Sequence, residues 1–197
     1  MRTIINSKYI VWLLLALPGA AMALPFVTGE ADAMDMLHPT GEWSARLMIL
    51  AMLIGPLSEV AGPAPWTRWL LVRRRWFGFS AFLYASAHLV FYVIDMGTIE
   101  DMLAEIGEAG IWTGWLAMLA IAVCGLTSND AAMRAMRRGW KQAQRCAYPA
   151  AVLTLFHWGL LTWHWTGALA HFAPLILLTL ARVVRRQRKP RKKELPA

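Results

Sequence analysis

The stretch whose reading decides the fold is residues 73–95, RRRWFGFSAFLYASAHLVFYVID. Three arginines lead into about twenty mostly apolar residues, enough for a helix to cross a hydrocarbon core about 30 Å thick. His88 lies well inside that run. An ionisable side chain is costly in such a place, so it is rare there and usually functional. The same stretch therefore marks both a membrane helix and a site.

The rest of the chain repeats the apolar pattern. Of 197 residues, 58% are of the types AVILMFWYC, and mean hydropathy is +0.44. That exceeds the usage of soluble proteins, about 45–50% apolar. Apolar runs at about 9–27, 42–61, 76–96, 110–127, 147–166 and 169–184 predict an all-α integral membrane protein, a six-helix transmembrane bundle forming one domain over residues 1–197. No G-x-G-x-x-G follows a strand pattern and no P-loop is present, so a nucleotide-binding domain is excluded. The net charge of +8 suits a membrane topology signal better than nucleic-acid binding.

The charges sort by loop. Nineteen of the twenty Lys and Arg fall in the N-terminal residues, in 62–75, in 128–146, and in the tail from Arg182; the twentieth is Arg46. The alternate gaps, 28–41 and 97–109, hold Glu30, Asp32, Asp35, Glu100, Asp101, Glu105 and Glu108, and no Lys or Arg. The positive-inside rule then places both termini in the cytoplasm, with residues 185–197 as a basic tail that touches anionic lipid. Residues 1–23 also read as a cleavable signal peptide, with AMA before Leu24. The favoured reading is a retained first span, because Pro18 and Gly19 are tolerated in a bundle. Cys124 and Cys146 both fall toward the cytoplasmic side, where a structural disulfide is not expected.

Two histidines share a depth. His88 is 13 residues past Arg75, and His157 is 12 past Arg145. At 1.5 Å per residue, each lies about 18–20 Å above its basic anchor, on helices that run the same way. Facing histidines across a bundle build metal and cofactor sites. In lipid the fitting tenant is haem, an apolar macrocycle with axial imidazoles. The competing reading is that each is an interhelical hydrogen-bond donor. Zinc fits less well, because a structural zinc site takes four N or S ligands. Arg46, four residues inside the second span, lies at the height where haem carboxylates would emerge and could pair with one; otherwise it snorkels to the interface. His38, His164 and His171 lie further out, as a quinone or metal site or as solvated residues.

Taken together, Arg74, Arg75, Gly78, Phe82, Tyr84, His88, Tyr92 and Asp95 resemble the signature of the ferric-reductase-like transmembrane family. Further matches are TGEWSARLMILAMLIGPL at 40–57, LTSND at 126–130 and GWKQAQRCAYPAAVLTLFHW at 139–158. The nearest branch in appearance is the haem-binding membrane subunit of bacterial protein-methionine-sulfoxide reductase systems. The resemblance implies one haem b between the third and fifth spans, with His88 and His157 as axial ligands. The wider family places a second, inner pair about 13–14 residues earlier, where this chain has Arg74 and Gln144 instead. An inner haem is therefore not expected. A second carrier near the cytoplasmic side, FMN or quinone, is expected in its place, with Trp76 and Trp140 near it or simply in the interfacial aromatic belt.

The expected role is an electron-transfer subunit in a bacterial inner membrane rather than a catalytic one. Its implied partners are a cytoplasmic flavin reductase or the quinol pool as donor, and a periplasmic molybdopterin-dependent reductase as acceptor. The alternatives are a self-standing ferric or quinone reductase, and a non-redox membrane protein with structural histidines. No C-x-x-C-H occurs, so a haem here would not be c-type.

Overall fold

The computed structural model describes residues 7–163 and 165–188. Among them every regular element is helical: α1 (Lys8–Thr28), α2 (Ala33–Ala61), α3 (Pro65–Met96), the short α4 (Ile99–Ala104), α5 (Ala109–Leu126), the short α6 (Asp130–Met136) and α7 (Arg138–Ala143), a 3-10 turn (Gln144–Cys146), α8 (Ala147–Thr162) and α9 (Trp165–Arg188). The chain is an all-α, multi-pass membrane protein. Helices α1, α2, α3, α5 and α9 are long and apolar enough to cross a membrane. The expected fifth span is present as α8, but its 16 residues rise only about 24 Å. It ends at Trp163, which takes a left-handed backbone conformation (φ 52°). His164 and most of the basic tail lie outside the described residues.

Two helices begin earlier than hydropathy suggests. The apolar runs start near 42 and 76, whereas α2 begins at Ala33 and α3 at Pro65. The cause is local chemistry that hydropathy does not register. Asp32 and Asp35 form a reciprocal cap, each carboxylate accepting the other's backbone N–H at 3.1 Å. Pro65 stands in the first turn of α3, where its missing N–H costs nothing. These helices are thus about 43 and 48 Å long and overreach the hydrocarbon core.

The bundle is organised as two pairs, α2 with α3 and α5 with α8; α9 lies against α2 and α8, and α1 against α2 and α3. Small side chains bring the helices together. Ala45, Ala81, Ala150 and Ala168 are at most 2% exposed, as expected where helices associate in lipid by close packing. Ser44 donates to the Ala81 carbonyl (2.9 Å) and fixes the register of α2 on α3. At the basic end, Arg75 pairs with Asp130 at 2.6 Å, and that hydrogen bond and charge hold the Asp130 carboxyl below its ordinary pKa.

Tyr84 ties α1 to α3. Its hydroxyl accepts from Gly19 N–H (2.7 Å) and donates to Leu15 C=O (2.9 Å), two groups that an α-helix would otherwise pair with each other. A Cβ on Gly19 would sit 3.1 Å from that oxygen, so glycine leaves the space for it. Tyr84→Phe is expected to lower bundle stability by about 1–2 kcal/mol, since two hydrogen bonds go but α1 can close its own ladder. Thermal or SDS titration of the solubilised protein reads this. Unchanged stability would mean the bridge contributes nothing net.

Candidate functional site

The α2–α3 pair and the α5–α8 pair face each other across a cavity of about 400 Å³, within the usual size of cofactor sites, about 300–1,000 Å³. His88 reaches it from α3 and His157 from α8. Ala85, Ala117, Met118 and Ile121 give it apolar walls, while Glu42, Asp95 and Glu105 add carboxylates to the lining. The two imidazoles that the sequence places at one depth do meet. Their ring centroids are 6.1 Å apart and their planes 85° apart.

Each ring is held the same way. His88 Nδ1 lies 2.8 Å from Leu37 O, with Thr40 Oγ1 at 3.5 Å. His157 Nδ1 lies 2.7 Å from Gly110 O. A carbonyl oxygen only accepts, so each Nδ1 carries the ring proton and donates it. In the neutral imidazole that leaves Nε2 as the lone-pair nitrogen, the arrangement by which outer hydrogen bonds orient metal-binding histidines. No hydrogen bond to either Nε2 occurs among the described residues.

Glycine makes the approach possible. Four residues after Leu37 comes Gly41, and four after Gly110 comes Gly114. A Cβ on Gly41 would lie 3.1 Å from His88 Nδ1, and one on Gly114 only 2.5 Å from His157 Nδ1 and Cε1. Each imidazole thus lies against bare helix backbone, with the carbonyl one turn away. Sequence reasoning missed Leu37, Gly41, Gly110 and Gly114. The legible trace was a glycine four residues after a backbone acceptor, on a helix neighbouring a histidine.

The cavity suits a macrocyclic metal cofactor. A metal held by an Nε2 on each side at the usual 2.0–2.1 Å would separate the two ring centroids by roughly 6 Å, close to the spacing found. No group of three or more His, Cys, Asp or Glu able to hold a bare ion occurs among the described residues. Two imidazoles therefore leave the remaining coordination positions to the cofactor itself.

The other expected site residues lie around this centre. Arg46 is bound to Glu42 at 2.6 Å and donates Nε–H to His171 Nε2 at 3.3 Å, with Trp43 beneath the guanidinium. Glu42, not Arg46, lines the cavity. His171 packs on Trp158, and His38 meets the same ring edge-on. Two of the three outlying histidines thus gather at Glu42; His164 is not among the described residues.

At the basic end, Gln144 donates to Cys124 O (3.0 Å) and Thr127 Oγ1 (2.8 Å), closing the end of α5. Trp140 donates to Thr127 O (2.9 Å), and Trp76 lies against Trp12. Both cysteines are free thiols.

The sequence pattern of the family described as "Ferric reductase like transmembrane component" matches residues 40–155, more than half of the chain; His88 lies inside the match and His157 two residues past its end. The chain belongs to that family. Within this ferric-reductase-like setting it is similar to the protein-methionine-sulfoxide reductase heme-binding subunit MsrQ of Xanthomonas campestris pv. campestris (strain 8004). The two are 31% identical over 133 residues, covering 66% of this chain and 59% of the relative. It is also similar to MsrQ of Xanthomonas axonopodis pv. citri (strain 306), at 30% over 132 residues and the same coverage. MsrQ of Brucella anthropi is 28% identical over 202 aligned positions, covering 96% of this chain and 90% of that protein. The match thus spans 59% of the length of the Xanthomonas relatives. No solved structure matches.

Proposed function

We propose that this chain is a haem b-binding membrane subunit that passes electrons from a cytoplasmic flavin reductase or quinol to a periplasmic methionine-sulfoxide reductase of the molybdopterin type. The observation that carries the reading is the histidine pair: two imidazoles 6.1 Å apart across an apolar cavity, each with Nδ1 tied to a backbone carbonyl and Nε2 left for a metal. The names of the MsrQ relatives support the haem and the sulfoxide-reductase partnership. Bound haem would supply a one-electron carrier at the histidine pair. His88 and His157 would hold its iron through Nε2 in this reading. Leu37 O and Gly110 O fix their tautomers and raise the basicity of Nε2.

The basic end supports one haem per chain. Gln144 is spent on the end of α5, and Arg74 is a cation. The long cytoplasmic leg then needs an FMN or quinone. Purified protein is expected to show the sharp reduced α and β bands of a six-coordinate b-type haem, at one haem per polypeptide by pyridine haemochrome. A colourless protein sinks the reading, and two haems per chain sink the single-site assignment. In inside-out vesicles with both termini cytoplasmic, an impermeant reductant on the exposed face reduces the haem; reduction only from the other face would reverse the direction.

Arg46 is proposed to neutralise a haem carboxylate, sharing its charge with Glu42. Arg46→Leu is expected to weaken haem retention and lower the midpoint potential, since an anion near the iron favours the ferric state. If neither moves, Arg46 serves Glu42 alone.

A further inference from the structure

The two carbonyls that hold the histidine rings share a second donor. Thr40 stands three residues after Leu37 and Thr113 three after Gly110, each directly before the glycine that admits the ring. Thr40 Oγ1 lies 3.1 Å from Leu37 O and 2.6 Å from Met36 O. Thr113 Oγ1 lies 2.9 Å from Gly110 O and 2.7 Å from Ala109 O. Both residues are buried, at 3% and 5% exposure, so water does not compete for their protons. Acceptor, threonine and glycine thus recur in the same order on α2 and α5, each set serving one histidine.

Back-bonding of this kind is ordinary for threonine in a helix, and Thr127 does it at the end of α5. Thr40 and Thr113 differ in that an imidazole uses the same oxygen. A carbonyl oxygen has two lone pairs. In an α-helix the ladder takes one of them through the N–H four residues on, here that of Gly41 or Gly114. The imidazole Nδ1–H, at 2.8 Å on Leu37 O and 2.7 Å on Gly110 O, and the hydroxyl therefore compete for the other. The hydroxyl has one proton and two carbonyls within reach, and the nearer is not the one that holds the ring. It therefore weakens the hold on the ring only in part.

We propose that Thr40 and Thr113 are positioning residues that set how much electron density His88 and His157 offer a metal through Nε2. Each hydroxyl draws on the oxygen that would otherwise pull harder on Nδ1–H. A harder pull makes the imidazole more anionic and Nε2 a stronger donor. Stronger donation favours ferric over ferrous iron and lowers the potential of a bound haem, so the two hydroxyls hold that potential up. The effect on potential rests on the haem reading above, whereas the effect on Nδ1–H rests on the ring geometry alone.

The test uses the full chain in detergent or nanodiscs, with Thr40→Val, Thr113→Val and the serine variants at the same positions. In nitrogen-15 histidine NMR before haem is added, each valine variant should move the Nδ1–H proton of its own ring downfield. Each serine variant, which keeps the hydroxyl, should leave it in place. With haem bound, each valine variant should lower the midpoint potential, and the serine variants should match wild type. At a fixed ambient potential the ferric-to-ferrous ratio should rise roughly two- to ten-fold per hydroxyl, the worth of one ordinary hydrogen bond. Unchanged or upfield proton shifts, or unchanged potentials in the haem-loaded valine variants, overturn the proposal while leaving the haem reading intact. A wild-type chain that takes up no haem overturns that reading and with it the effect on potential; the proton shifts still decide whether the hydroxyls govern the rings. Should a valine variant fail to fold, the alanine variant, which also lacks the hydroxyl, carries the same two expectations.

Discussion

Alanine at either His88 or His157 is expected to empty the bundle of stoichiometric haem. Each imidazole offers one lone pair, and Ala85, Ala117 and Ile121 on the apolar wall offer none. Loss of a mere outer partner of a metal ligand costs about 10–100-fold in affinity, so loss of the ligand itself should exceed that. The spectrum distinguishes ligand loss from misfolding. Exogenous imidazole should restore the six-coordinate bands in His88→Ala or His157→Ala if the cavity is intact. Full haem with an unchanged spectrum in both variants would mean that neither histidine is a ligand.

Gly114→Ala is the second large effect, although no ligand is touched. The added methyl would lie 2.5 Å from His157 Nδ1 and Cε1, nearer than real carbon contacts permit. The imidazole must move, and in moving it leaves Gly110 O. Overpacking costs about 1–3 kcal/mol, and the lost tautomer lock adds its own factor in metal affinity. Haem occupancy should fall at least ten-fold on that basis. Gly41→Ala, at 3.1 Å from His88 Nδ1, asks for a smaller shift and should fall less. At Gly167 a methyl meets nothing within 4 Å, which makes Gly167→Ala the control. Haem titration of the four proteins reads the order; equal affinities for Gly114→Ala and wild type would remove the packing argument.

The depth of the histidine pair was legible because a helix rises by a constant step and basic residues mark one membrane boundary. Both quantities are written in the sequence. The helix ends were less legible: Ala33–Gly41 reads as polar loop, yet the Asp32–Asp35 cap makes it helix. That error matters, because Leu37 and Gly41 lie in this stretch and hold His88. The carbonyl partners could not be read at all, since they depend on which helix packs beside which. Arg46 shows the converse. Its spacing from Glu42, one helical turn, was open to view and indicates an ion pair. The gathering of His38 and His171 around Trp158 needs α9 folded against α2, which no local pattern records.

The hydroxyl bridge from Tyr84 into α1 bears on how the protein is made. Helices enter the membrane in chain order, so α1 enters before α3, which carries Tyr84 65 residues beyond Gly19. While alone in lipid, α1 pairs Gly19 N–H with Leu15 C=O itself, because an open backbone pair is costly there. Only when α3 arrives does the phenol take both groups. The backbone at Pro18 and Gly19 is therefore finished by a later part of the nascent chain, and the docking of α1 reports that α3 has reached its depth.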